Sequence, residues 1–163
     1  LYNLLCRLDF VKLIVGCGRL KTSDLDKILS FVNSNLTLVD SKSICGIEHL
    51  HQAAALSLSS HNNGFNLSKD RSTEVLLYLT SMRQISKALK LAGINKNTES
   101  VGWVYFGNST PDLSGIINED DSVISIKNYD FFNLAKDIDI SLDDHVKQKI
   151  IMTRTAILPV QPR

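Results

Sequence analysis

Arg83 and Gln84, in the run Ser81-Met82-Arg83-Gln84-Ile85, are the residues whose types and spacing point most directly to chemistry. Ser81 and Gln84 stand at the spacing of a capping box, in which hydroxyl and amide each satisfy an orphan backbone N–H at a helix start. That role accounts fully for Gln84. It leaves Arg83 in the first helical turn, where the macrodipole disfavours a cation by a few tenths to about 1 kcal/mol. A cation placed beside free N–H groups is explained by a bound anion. The plainer alternative is a surface arginine, solvated or paired with Glu74. Lys69 and Arg71 join Arg83 if the flanking helices fold back as a hairpin. The resulting basic spot suits a phosphate or two, not a long duplex. Lys87 and Lys90 read as solubilising charge on a polar helix face.

Other constellations are weaker. Gly16-Cys17-Gly18 follows an apolar run, and Asp40 lies where a ribose-binding acid would sit in a dinucleotide site. Lys21 takes the place of the third small residue of that fingerprint, so a turn needing permissive glycines is the better account. His49 and His51 are two apart on a predicted helix and point to different faces, so they cannot chelate one metal together. His61 and His145 stand elsewhere, and no His, Cys and carboxylate spacing matches a metal site. Cys45 has no nucleophile context, and Asp120-Asp121 and Asp143-Asp144 read as turn and helix-start acids. No catalytic residue, cofactor site or metal site is assigned. The reading is against an enzyme.

The elements that must position Arg83 follow from periodicity. Ile85, Ala88, Leu89 and Ala92 recur at i, i+3, i+4 and i+7, predicting a helix that Gly93 stops. Val75, Leu76 and Leu79 mark a helix before it, broken at Thr80-Ser81. Upstream, Phe10–Val15 predicts a strand ended by the glycines, and Ser23 a cap for a helix through Leu25, Ile28, Leu29 and Val32. Leu36–Val39 predicts a short strand. Ile47, Leu50, Ala54 and Leu58 predict a longer helix, with Ser59 to Ser68 as a flexible connection. Val101–Phe106 is apolar on both faces and predicts a central strand. Thr110-Pro111 predicts a short helix, Ser122–Ile126 a strand and Tyr129–Ala135 a helix. A last helix runs from Asp143-Asp144 to Met152, and Thr155–Val160 is expected as a strand at an edge. Interleaved elements without strict alternation predict an α/β (α+β) single-domain sandwich over 1–163, with a mixed central sheet flanked by helices.

The totals set bounds. With 163 residues the chain can bury a substantial core, and a formal net charge of +1 means that any nucleic-acid contact must be local. Cys6, Cys17 and Cys45 form no CxxC and read as reduced thiols. No apolar run approaches the roughly 20 residues that span a bilayer. The opening Leu-Tyr-Asn-Leu-Leu-Cys lacks a signal peptide's basic start and apolar core, so a cytoplasmic location is expected, with no membrane or DNA partner.

Three runs resemble a known family: Gly46-Ile47-Glu48-His49-Leu50, the segment 73–94 with Arg83-Gln84-Ile85 at its centre, and Arg154-Thr155-Ala156-Ile157-Leu158-Pro159-Val160. Together they resemble the small kinase-binding subunit of the KEOPS (EKC) complex, the family of the PRPK-binding protein and its archaeal counterparts. Thr80-Ser81-Met82 stands where that family has a small, Gly-containing turn. The resemblance implies a non-catalytic subunit that binds an atypical kinase/ATPase and recruits tRNA by its single-stranded 3′ CCA end. It would thereby support threonylcarbamoyl-adenosine modification. It puts the RNA contact on Arg83, Gln84 and Ile85, with Arg71 and Lys69 added from the basic spot. Two alternatives stay open: a pure protein–protein scaffold without RNA binding, and a nucleotide-binding enzyme using Gly16, Gly18 and Asp40.

Overall fold

A computed structural model describes residues 11–127 and 142–160. β3 (Ser100–Phe106) is the spine of a four-stranded sheet ordered β2-β3-β1-β4, with β1 at Leu13–Leu20, β2 at Leu36–Asp40 and β4 at Ile117–Glu119. Its doubly apolar sequence fits that place, since both its faces are covered. Gly102, Val104 and Phe106 look toward one layer, Val101, Trp103 and Tyr105 toward the other. Leu36 and Leu38 of β2 share the second layer, and Val39 belongs to the first.

The α+β class expected from the sequence holds, with one correction to the sheet. All three strand pairs are antiparallel rather than mixed, and the single parallel pairing described is an isolated bridge between Cys45 and Ser125. The long helical connection from β2 to β3 brings β3 back running against β2, so no parallel crossover neighbour arises.

The thick layer holds α2 (Ile47–Asn63), α3 (Arg71–Thr80), α4 (Ile85–Ala92) and α5 (Asp144–Ala156). α3 lies deepest: Ser72 and all seven residues from Glu74 to Thr80 are buried, between β2, α2, α4 and α5. The thin layer is the short α1 (Leu25–Leu29) with the turn through Leu113 and Ile116.

Several boundaries depart from expectation for identifiable reasons. β1 does not end at its glycines but runs through them to Leu20. Gly16 pairs with Trp103, and a Cβ there would meet the indole ring; at Gly18 it would meet the Asn118 carbonyl. The glycines serve close cross-strand approach rather than a turn. α1 is capped by Asp24 instead of Ser23, its carboxylate accepting from Lys27 N, and it ends before Val32. α2 continues through Ser59 to Asn63 and stops at Gly64 in the left-handed region, φ 73°.

Thr110-Pro111 opens no helix; the chain turns instead at Leu113–Ile116 into β4, too short at three residues to show a period. Ser122–Ile126 is not a strand but a 3-10 turn at Asp121–Val123 followed by the bridge at Ser125. Thr155–Val160 is not a strand either, because Thr155 Oγ1 bonds back to Ile151 O inside α5 and Leu158–Val160 forms a 3-10 turn. The helix expected at Tyr129–Ala135, Phe10 and Cys6 lie outside the described residues.

Candidate functional site

The corner between α3 and α4 is built by the end of one helix rather than by the start of the next. Met82 N donates to Leu77 O and Ser81 N to Tyr78 O, both at 3.0 Å, which closes α3 in a Schellman motif. Ser81 is the residue this motif holds in the left-handed region, at φ 54°, where glycine is usual. The capping box expected at Ser81 to Gln84 therefore does not form. Its serine is spent on the preceding helix, and α4 begins later, at Ile85, with Gln84 as N-cap and no side-chain cap bond.

Arg83 consequently precedes α4 and does not sit in its first turn. Its Nη1 donates to the carbonyls of Leu158 at 3.1 Å and Pro159 at 3.3 Å, strapping the C-terminal 3-10 turn to the corner. Gln84 and Ile85, the two residues after it, are exposed, Ile85 at 42%. The apolar stripe of α4 is split: Ala88 and Ala92 are fully buried against the core, while Leu89 is 48% exposed. Two alanines let α4 lie close to its neighbours, so the longer side chains beside them stay at the surface. Ile157 and Val160, on either side of the carbonyls Arg83 holds, are also exposed. The exposure of Leu89 is not visible to sequence periodicity, which assigns it to the core.

Lys69 and Arg71 are not brought to Arg83. Arg71 opens α3 and Arg83 lies beyond its far end, so the ten-residue helix, about 15 Å long, separates them. Arg71 has its own work: its guanidinium stacks 5.3 Å from the Phe106 ring centroid and Nη2 donates to Asn35 Oδ1 at 3.2 Å. Lys69 is exposed. α3 itself is pinned by the buried Glu74, whose carboxylate accepts from Leu67 N at 3.0 Å, Ser68 N at 2.6 Å and Ser60 Oγ at 3.3 Å.

The residues of the nucleotide alternative have structural places. Gly16 and Gly18 are inside β1, and Asp40 caps the 3-10 turn at Ser41–Ser43 through Lys42 N and accepts from Thr98 Oγ1 at 2.9 Å. Burial raises the Cys17 thiol to about 11 and the Cys45 thiol to about 12, so neither is a ready thiolate. His49 is fully buried, Nδ1 accepting from Cys45 N at 3.1 Å, and burial lowers its pKa to about 4. His51, on the opposite face, is exposed, as their spacing predicted. Among the described residues no group of three or more His, Cys, Asp or Glu is placed to hold a metal ion. No described helix is long and apolar enough to cross a membrane.

The corner thus offers an open helix start beside an arginine, an exposed amide, and apolar side chains at the surface. Comparison with known proteins gives this arrangement a context. The family model of the kinase-binding protein CGI-121 matches residues 21–153. The KEOPS complex subunit Cgi121 of Pyrococcus abyssi (strain GE5 / Orsay) is 30% identical over 102 residues, covering 63% of this chain and 57% of that protein. The chain therefore aligns with little more than half the length of that curated relative.

Proposed function

The chain belongs to the family of the kinase-binding protein CGI-121, and on that premise we propose that it is a non-catalytic KEOPS subunit that docks on a kinase and recruits tRNA. In this role it works as one domain over 1–163 in the cytoplasm, bringing the 3′ CCA end of tRNA into a complex that makes threonylcarbamoyl-adenosine. The observation that carries the RNA part is the uncapped start of α4. Its first N–H groups have no side-chain partner from Gln84, and Arg83 stands immediately before them. An internucleotide phosphate of the CCA end suits that position, while the exposed Ile85 offers an apolar face and Gln84 an amide to the unstacked bases of a single strand. The kinase contact falls on the exposed apolar side chains of Ile157 and Val160, since large exposed apolar side chains close together mark a protein-binding surface.

Binding of intact and CCA-trimmed tRNA to the wild type and to Gln84→Ala/Ile85→Asp tests the recruiting role. The expected result is a loss of about tenfold or more both on trimming and on substitution, a difference of about 1.4 kcal/mol. Equal affinity for trimmed and intact tRNA removes that role. One observation favours the second reading, a protein–protein scaffold without RNA binding: Arg83 already gives hydrogen bonds to Leu158 and Pro159. That reading requires tRNA modification by the assembled complex to be indifferent to the Gln84/Ile85 substitutions.

A further inference from the structure

The near-neutral total conceals a cationic segment. Residues 83–96 carry Arg83, Lys87, Lys90 and Lys96 and no acid, which leaves the rest of the chain with fourteen Lys and Arg against seventeen Asp and Glu. α4 advances about 100° per residue, and its buried line runs through Ala88 and Ala92. Ile85 and Leu89 stand on one flank of that line and Lys87 and Lys90 on the other, the two flanks roughly 150° apart. One helix thus shows an apolar flank and a basic flank to different directions.

Among the described residues no side chain forms an ion pair with the basic flank. Lys87 and Lys90 are exposed, and neither makes a salt bridge within the described residues. Their like charges at i, i+3 cost the helix a few tenths of a kcal/mol, and Lys87 lies in the first turn, where the macrodipole opposes it. Two further lysines stand on segments tied to α4 or to its neighbour. The 3-10 turn bearing the exposed Lys42 packs against α4, and the Thr98 hydroxyl bond to Asp40 ties the loop of Lys96 to the base of that turn. Lys96 lines an open groove of about 480 Å³ with Lys21, Thr22, Ser23, Asn97 and the acid Glu99.

We propose that Lys87 and Lys90, continued by Lys42 and Lys96, form a strip that carries the phosphate backbone of the bound RNA upstream of its 3′ end. The proposal rests on the tRNA-recruiting reading above and adds to it a surface distinct from Arg83, Gln84 and Ile85. Ammonium groups on flexible stems without acid partners suit phosphates read without regard to sequence. Lys87 and Lys90 face away from Leu89, so RNA held on these two lysines does not cover that side chain.

The test is the salt dependence of intact tRNA binding to the full chain, wild type against Lys87→Ala/Lys90→Ala, with Gln84→Ala as contrast. Loss of two phosphate contacts makes the slope of log K against log salt shallower by about 1.4, and affinity near 0.1 M salt falls by about 25-fold. Gln84→Ala lowers affinity without changing the slope. Retained kinase capture and an unchanged melting curve show that the lysine variant is folded. A wild-type slope in the lysine variant overturns the strip and leaves the recruiting role standing. Loss of kinase capture in place of RNA binding assigns the strip to an acidic protein surface and overturns it as well. Absence of tRNA binding by the wild type removes the recruiting role itself, and the strip with it.

Discussion

Acidification bears on this fold through one side chain, His49. It is fully buried, its Nδ1 accepts from Cys45 N, and its Nε2 lies 3.4 Å from Thr155 Oγ1, so protonation would force a charge and a second donor on a site arranged for a neutral ring. Burial lowers its pKa from 6.5 to about 4. The unfolded chain therefore takes up this proton before the folded one does. Stability contributed by the neutral ring is complete above pH 6.5 and declines as pH falls toward 4. A difference of roughly 2.5 units at about 1.36 kcal/mol each amounts to about 3 kcal/mol. In His49→Asn the amide oxygen replaces Nδ1 as acceptor for Cys45 N, and the titration is gone. The variant is less stable than the wild type at pH 7, by about 1–3 kcal/mol for the lost ring packing and Nε2 contacts. Urea unfolding followed by circular dichroism at half-unit steps between pH 7 and pH 4 gives both curves. The gap between them should close by about 3 kcal/mol and can change sign, since other titrating groups cancel in the difference. Two parallel curves would refute the placement of His49 as a buried neutral ring.

Two further substitutions test the packing that places the site. Ser81→Gly relieves the left-handed residue of the Schellman motif and should raise stability by about 1 kcal/mol, read as a higher denaturation midpoint with an unchanged slope. Gly102→Val drives a branched side chain into Ile44 Cδ1 and the Leu50 methyl, and should cost about 3 kcal/mol or abolish soluble expression, whereas an unaltered melting temperature would contradict the close contact of β3 with Ile44 and Leu50.

The parts of the fold legible in the residues were those set by local pattern and burial on both faces. Val101–Phe106 announced a central strand, and the Gly93 stop, the α2 face at Leu50 and Ala54 and the acidic start of α5 were equally plain. What escaped was decided by partners distant in sequence. Gly16 looks like a turn residue until Trp103 lies across it in the sheet. Ser81 to Gln84 carries the letters of a capping box, yet α3 needs a left-handed residue to close, and Ser81 fills that need first. Arg83 reads from the sequence as a cation in a helix's first turn awaiting an anion, whereas it precedes α4 and its guanidinium donates to carbonyls. Its carbonyl partners, 75 and 76 residues away, could not be read from spacing. The stripe of α4 was visible as a stripe, but only tertiary packing decides that the alanines go inside and Ile85 and Leu89 remain outside.

In the proposed role one small chain holds a kinase and a tRNA together. The most direct measurement of that role is the mass of the species formed when the chain, its kinase partner and tRNA are mixed in equal amounts, as read by analytical ultracentrifugation. A single complex containing all three with intact tRNA, reduced to chain plus kinase when the CCA end is trimmed, is the predicted result. Displacement of tRNA by the kinase, or a ternary complex indifferent to the CCA end, would contradict it.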